Sequence, residues 1–132
     1  MTEDQPPKYV LDASAMLAYL HEETGHEIVE AVLNGALISS VNWSEVVQKV
    51  VAHGVAADGL RSDLAALGLT VVPFSADDAE TAATLWSATR AFGLSLGDRA
   101  CLALATQRKL PALTADRAWT GLSVGIKSRV MR

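Results

Sequence analysis

Short apolar runs typical of strands alternate along this chain with longer segments that have the apolar spacing of helices. The strand-like runs cover residues 8–12, 36–40, 69–74 and 110–114, and residues 124–127 form a further candidate strand. Parallel strands need long crossover connections, and helical segments of this length supply them. The sequence therefore predicts the α/β class, with a mostly parallel sheet covered by helices on both faces.

The helical segments carry an apolar stripe and are bounded by residues that commonly cap helices. They cover residues 13–20, 25–34, 42–53, 56–67, 75–92 and 98–108. Asn42 is expected to cap the third helix. The segment 75–92 is expected to form one long alanine-rich helix that ends at Gly93.

The length of 132 residues suits one compact domain and is too short for two domains of ordinary size. Residues 1–7 are expected to form a flexible lead-in without the features of a secretory signal. No stretch approaches the roughly 18 uninterrupted apolar residues of a membrane helix. The single cysteine, Cys101, lies in an apolar run, which predicts a buried thiol. We therefore expect a cytoplasmic protein with no membrane partner.

The formal net charge of −4 ordinarily argues against a nucleic-acid partner, because phosphate binding relies mainly on lysine and arginine. Divalent cations held by carboxylates would reverse the local sign of the charge. Net charge alone therefore does not exclude a nucleic-acid partner.

Two aspartates follow predicted strands. Asp12 ends the first strand, and Asp116 comes shortly after the strand at residues 110–114. In a doubly wound sheet the functional crevice lies at the carboxyl ends of the strands. Asp12 could equally cap the helix that follows it, and Asp116 could simply open a turn.

Two further acids stand at helix starts. Glu45 and Asp98 each lie three positions after a residue that favours capping, Asn42 and Ser95 respectively. This spacing is typical of a capping box, in which the acid only stabilises the helix start. The same pattern recurs at residues 75–78, where we assign no catalytic role. Capping therefore stays open for each acid taken alone.

Taken together, four segments resemble the PIN-domain family, and more narrowly the VapC-like ribonuclease toxins of bacterial toxin–antitoxin pairs. The segments are VLDASA at residues 10–15, SVNWSE at 40–45, LSLGDRACLA at 94–103 and LTADRA at 113–118. Their order and spacing span most of the domain, whereas residues 53–92 match only in their helical character.

The resemblance implies a PIN-like three-layer α/β/α sandwich and a metal-dependent endoribonuclease that hydrolyses RNA. It implies a catalytic, metal-binding cluster, supporting hydroxyls at Ser14 and Thr114, a cognate antitoxin partner and a homodimer. The cluster residues are Asp12, Glu45, Asp98 and Asp116. We expect Asp12 and Asp98 to hold the principal cation, with Glu45 and Asp116 positioning water or a second cation.

The chemistry of phosphodiester hydrolysis is consistent with this cluster. Mg²⁺ and Mn²⁺ prefer oxygen ligands, and Mg²⁺ commonly binds through one or two carboxylates, waters and substrate phosphate. Bound cations can activate a water and neutralise a phosphoryl oxygen. The expected cofactor is therefore Mg²⁺ or Mn²⁺.

Arg99 and Arg117 stand directly beside two of these acids, where each could contact an RNA phosphate or pair with a carboxylate. Three tryptophans, Trp43, Trp86 and Trp119, could stack on unpaired bases, although core packing is the expectation for Trp86.

Two other functions remain open. A catalytically silent PIN-like binding module would be expected to lack one or more of the four acids, and all four are present. A receiver-like signalling domain also has an acidic, magnesium-binding sheet edge, but residues 71–75 offer no phosphate-accepting aspartate.

Overall fold

The computed structural model describes residues 8–132, and the predicted lead-in lies outside them. Within this range the strands are β1 (Val10–Leu11), β2 (Leu37–Ser39), β3 (Thr70–Val72), β4 (Ala112–Thr114) and β5 (Ser128–Val130). They form one sheet in the order β3-β2-β1-β4-β5, and every neighbouring pair is parallel. The predicted α/β class with a parallel sheet is confirmed.

Helices connect the strands. They are α1 (Ala13–Leu20), α2 (His26–Val32), α3 (Ser40–Ala52), α4 (Leu60–Ala66), α5 (Ala76–Thr84), α6 (Trp86–Thr89) and α7 (Leu96–Arg108), with 3₁₀ turns at Arg90–Phe92 and Arg117–Trp119. No helix in residues 8–132 is long and apolar enough to cross a bilayer.

The sheet is buried on both faces. Successive side chains of a strand point to opposite sides, and each side packs against its own set of helices. Leu11 and Leu113 pack on one face against buried residues of helices α1 to α4. Their neighbours Val10 and Ala112 pack on the other face against α7. The predicted three-layer α/β/α sandwich is therefore confirmed.

The strand order reverses beside β1. From β1 the chain builds outward to β2 and β3 on one side and then to β4 and β5 on the other. The gap between the ends of β1 and β4 is thus the switch point, where crevices form in parallel sheets.

The prediction of a final strand at residues 124–127 is wrong. Gly125 has a left-handed φ of 88°, so the chain turns there instead of extending. The last strand, β5, begins three residues later than the centre of that turn, and Val130 pairs with Thr114.

The predicted single helix at residues 75–92 is also wrong, since the segment forms α5, α6 and a 3₁₀ turn. Two threonine hydroxyls compete with the helix backbone near the breaks. Thr84 Oγ1 donates to the Thr81 carbonyl and Thr89 Oγ1 to the Leu85 carbonyl. Such bonds weaken and bend helices.

Candidate active site

Asp12 lies at the end of β1 and caps α1. Its Oδ1 accepts hydrogen bonds from Ala15 N at 2.8 Å and Ser14 Oγ at 2.7 Å, and its Oδ2 accepts one from Thr114 Oγ1 at 2.5 Å. The residue is only 3% exposed. The capping alternative is thus observed, but capping uses only one of the three donors that converge on this carboxylate.

The two hydroxyls join the ends of β1 and β4. Ser14 Oγ accepts from Ala115 N at 2.9 Å, and Thr114 Oγ1 accepts from Asp116 N at 3.0 Å. Each hydroxyl has one proton, and both protons are directed at Asp12. The network is therefore built around Asp12 as an ionised acceptor.

Burial opposes that ionised form. Desolvation raises the pKa of Asp12 to about 6, and the negative charge of Asp98 adds to the rise. The hydrogen bonds from Thr114, Ala15 and Ser14 lower the pKa but do not cancel the effect of burial. A cation beside Asp12 would stabilise its charge.

Glu45 reaches from α3 to the start of α7. Asn42 Nδ2 donates to Glu45 Oε1 at 3.0 Å and to the Gly97 carbonyl at 2.9 Å, which joins the two helices. A Cβ on Gly97 would lie 2.7 Å from Glu45 Oε1. Because Gly97 has no side chain, the Glu45 carboxylate can lie directly against it.

The expectation that Asn42 caps the third helix is wrong. Ser39 caps α3, its Oγ accepting from Val41 N at 3.2 Å, so Asn42 lies within the helix. Asn42 and Gly97 are site-shaping residues that the sequence reasoning missed. An asparagine three residues before an acid in a predicted helix, and a glycine directly before Asp98, were the available indications.

Asp98 begins α7 in a capping box. Ser95 N donates to Asp98 Oδ2 at 2.8 Å, and Asp98 N donates to Ser95 Oγ at 3.2 Å. The capping alternative is thus observed here as well, and the same box recurs at Ser75 and Asp78. Only Oδ2 takes part in the box, so Oδ1 of Asp98 stays available to other partners.

Asp116 is exposed and caps the 3₁₀ turn after β4, its Oδ1 accepting from Ala118 N at 2.9 Å. Its backbone nitrogen contacts Thr114, the same residue that donates to Asp12. Asp116 therefore lies at the same sheet edge, although its Oδ1 is bonded to the backbone of the turn.

Cys101 reports how close three of the acids are. The thiol is fully buried, as predicted, and burial raises its pKa well above the ordinary value. The charges of Asp12, Asp98 and Glu45 each add to that rise. The negative charges of these three carboxylates therefore all act on one thiol in α7.

The donor set fits a hard cation, since it consists of carboxylate and hydroxyl oxygens. Within residues 8–132, however, no three acidic, histidine or cysteine side chains are arranged to ligate one ion together. The two ion pairs in this range, at Glu27 and Glu23, lie elsewhere. The acids thus have no lysine or arginine within ion-pair distance, and the arrangement suits a cation held by two carboxylates and water.

Arg99 and Arg117 point to backbone carbonyls. Arg99 Nη1 donates to the Ala82 carbonyl at 3.0 Å, and Arg117 Nε donates to the Arg132 carbonyl at 3.3 Å. Neither forms an ion pair with a described carboxylate. Their contacts with RNA phosphate stay predictions.

The tryptophans differ in exposure. Trp119 is buried at 1% exposure, and Trp43 packs partly buried against the core beneath α1 to α4. Trp86, expected in the core, is 50% exposed. It lies on the short helix α6, which faces outward where the predicted long helix is broken.

The fold and site together define a class: an α/β/α domain with carboxylates gathered at the switch point of a parallel sheet. The PIN domain family model matches residues 9–123. The chain belongs to the PIN domain family. A search among curated protein sequences found no significant match.

Several solved structures share the fold. A toxin–antitoxin complex from Klebsiella pneumoniae aligns with a TM-score of 0.67 and 21% identity over 86% of this chain and 92% of the other. VapBC2 from Rickettsia felis, bound to a promoter DNA fragment, aligns with a TM-score of 0.67 and 17% identity over 95% of this chain and 99% of the other. VapBC-5 from Mycobacterium tuberculosis aligns with a TM-score of 0.57 and 21% identity over 96% of this chain and 99% of the other. At these identities the likeness concerns the fold.

Proposed function

We propose that this protein is a divalent-metal-dependent endoribonuclease and the toxin of a toxin–antitoxin pair. One observation carries the proposal. The buried Asp12 is held by Ser14 and Thr114 at the switch point, close to Asp98, with no described lysine or arginine in ion-pair distance. Membership of the PIN domain family supports the same function.

Asp12 and Asp98 would hold Mg²⁺ or Mn²⁺, and Glu45 and Asp116 would orient the attacking water. When bound, the cation lowers the pKa of water and neutralises developing charge on the phosphate. Ser14 and Thr114 fix the orientation of Asp12, as hydrogen-bond partners of ligating carboxylates commonly do. The half-buried Glu45 is held by Asn42, so its carboxylate needs little reordering on substrate binding.

The partners proposed are an RNA substrate, a cognate antitoxin and a second copy of the chain. Structures of the same fold are described as toxin–antitoxin complexes, and two of them contain DNA. The family match argues against the receiver-like alternative. A silent binding module differs from the proposed enzyme only in lacking cleavage.

The decisive experiment incubates purified protein with total cellular RNA, with and without Mn²⁺, beside Asp12→Asn and Asp78→Asn. Asparagine is also a good helix cap, so Asp12→Asn should fold. We expect it to reduce cleavage by about 100-fold or more, the scale of losing a central electrostatic group in an active site. Asp78→Asn changes a matched buried acid outside the site and should cleave like the native protein.

Cleavage that persists in Asp12→Asn, or in excess chelator, would contradict the metal-dependent mechanism. Absence of cleavage by native protein with Mn²⁺ would favour the silent module. Induced expression in a bacterial host separately tests the toxin role: native protein should arrest growth, and Asp12→Asn should not.

A further inference from the structure

Trp86 is the most exposed tryptophan, tyrosine or phenylalanine in residues 8–132. Half of it is exposed, and the guanidinium carbon of Arg90 lies 4.6 Å from its ring centroid. Arginine on tryptophan is a favourable cation–π pair, which holds both side chains in one orientation. The result is a flat, positively charged and partly apolar surface.

The turn that carries this surface is anchored. Thr89 is fully buried and bonds the Leu85 carbonyl, while Leu85 and Phe92 pack against the core around α7. The surface therefore has a fixed place.

The chain limits how far this surface can lie from the acidic site. Leu94 N contacts the Thr89 carbonyl at 3.5 Å, which closes the loop before α7. Trp86 and Thr89 are about one helical turn apart, and Asp98 lies four positions after Leu94. The Cα atoms of Trp86 and Asp98 are thus no more than about 27 Å apart. A few nucleotides span this separation.

The local charge favours a polyanion. Residues 81–97 contain no acid, and Arg90 is the one charged residue among them, in a chain of net charge −4. Arg90 forms no ion pair with any carboxylate in residues 8–132. Leu96, the first residue of α7, is 56% exposed between this turn and Asp98.

We propose that Trp86 and Arg90 form a stacking platform for an unpaired base of single-stranded RNA whose phosphodiester is cut at the acidic site. This inference rests on the proposed ribonuclease function. The base stacks on the indole or guanidinium plane, and Arg90 contacts an adjacent phosphate. Stacking accepts every base, so the platform selects single-stranded over duplex RNA more than it selects a sequence.

The test measures fluorescence anisotropy of a labelled 12-nucleotide single-stranded RNA and of a duplex of equal length. Binding is measured in the Asp98→Asn background to prevent cleavage, and cleavage is measured in the otherwise native protein. Variants are Trp86→Ala, Trp86→Phe and Arg90→Gln. Matched controls are Leu67→Ala, equally exposed directly after α4, and Arg61→Gln on that helix.

We expect Trp86→Ala to weaken single-strand binding by about five- to 160-fold, the range for loss of one base–aromatic stack. KM should rise with little change in kcat, because stacking of a base contributes equally to binding of the substrate and of the transition state. Trp86→Phe should retain most of the affinity, and duplex binding should change little. RNA should also quench tryptophan fluorescence, and Trp86→Phe should abolish most of that quenching.

Unchanged KM and affinity in Trp86→Ala, in a protein that does cleave RNA, would overturn the platform and leave the proposed function intact. A change of oligomeric state in Trp86→Ala with unchanged RNA affinity would assign the surface to a protein interface instead. If native protein neither cleaves nor binds RNA, the proposed function fails and the platform fails with it.

Discussion

Asp12 combines two opposing influences on one side chain. Three hydrogen bonds favour its charge, while complete burial and the charge of Asp98 oppose it, and the pKa rises to about 6. A carboxylate held in this way is stabilised by a cation, which is why Asp12 is the residue on which the proposed site depends.

The pKa of Asp12 predicts an unusual pH dependence of stability without metal. Well below pH 4, both folded and unfolded chains keep the proton. Between about pH 4 and pH 6 the unfolded chain loses it first, so the folded state becomes less stable as pH rises. The loss reaches at most about 3 kcal/mol near pH 7. The free energy of unfolding, measured with urea in the presence of a chelator, should decline in this pH range for native protein and not for Asp12→Asn. The same pH dependence in both proteins would contradict the prediction.

Gly97 tests the position of Glu45. Gly97→Ala places a Cβ only 2.7 Å from the present position of Glu45 Oε1, so the carboxylate must move. Alanine also favours the helix by up to about 1 kcal/mol, so stability should hold. We expect cleavage to fall at least about tenfold, as when the partner of a metal site is displaced.

The double variant Gly97→Ala with Glu45→Gln is the control. It should be no less active than Glu45→Gln alone, because both changes act on one carboxylate. Additive losses would show that Gly97 acts elsewhere.

At the scale of elements, α5 and α7 begin with the same capping box. Asp78 and Asp98 make equivalent bonds, with backbone nitrogen to carboxylate distances of 2.9 Å and 2.8 Å. The boxes differ in their surroundings, because α7 starts beside Glu45 and Asp12 while α5 starts at the far edge of the sheet, after β3. Local geometry therefore does not separate a structural acid from a candidate ligand.

This pair gives a matched prediction. Asp98→Asn and Asp78→Asn should each cost roughly 1 kcal/mol or less in unfolding free energy, the scale of weakening a helix cap. Only Asp98→Asn should abolish RNA cleavage. Denaturant unfolding and cleavage assays on both variants check this, and equal activity losses would refute the special role of Asp98.

The element boundaries show where sequence patterns were sufficient. The strands β1 to β4 and the helices α1, α3 and α7 lie within or close to the predicted segments, because apolar periodicity reports burial directly. The break at residues 84–89 and the late start of β5 depended on threonine side-chain bonds and on Gly125. Periodicity does not register such local competition.

Negatively charged side chains lie at one edge of the sheet, and no lysine or arginine in residues 8–132 lies within ion-pair distance of them. Metal binding should therefore stabilise the fold. At a hundredfold excess over its Kd, Mn²⁺ should add about 2.7 kcal/mol and raise Tm by roughly 10 °C. Thermal unfolding should show a much smaller rise in Asp98→Asn and a native-like rise in Asp78→Asn. Equal shifts in native protein and Asp98→Asn would count against a cation at Asp98.

The sequence by itself determined the class of the fold and supplied the candidate acidic residues. Alternation of strand and helix patterns is local information, and the four motifs stand in fixed order along the chain. Their resemblance to the PIN-domain family added the expected chemistry, and the family model match confirms that membership.

Only the tertiary structure decided which residues meet. It joined Asp12 to Thr114 across 102 positions and Asn42 to the Gly97 carbonyl across 55, and it left Trp86 exposed. These contacts depend on strand order and on helix packing across the sheet, which no local spacing encodes. The physical reason is that periodicity fixes which face of an element is buried, whereas the neighbour on that face is fixed by how the elements pack together.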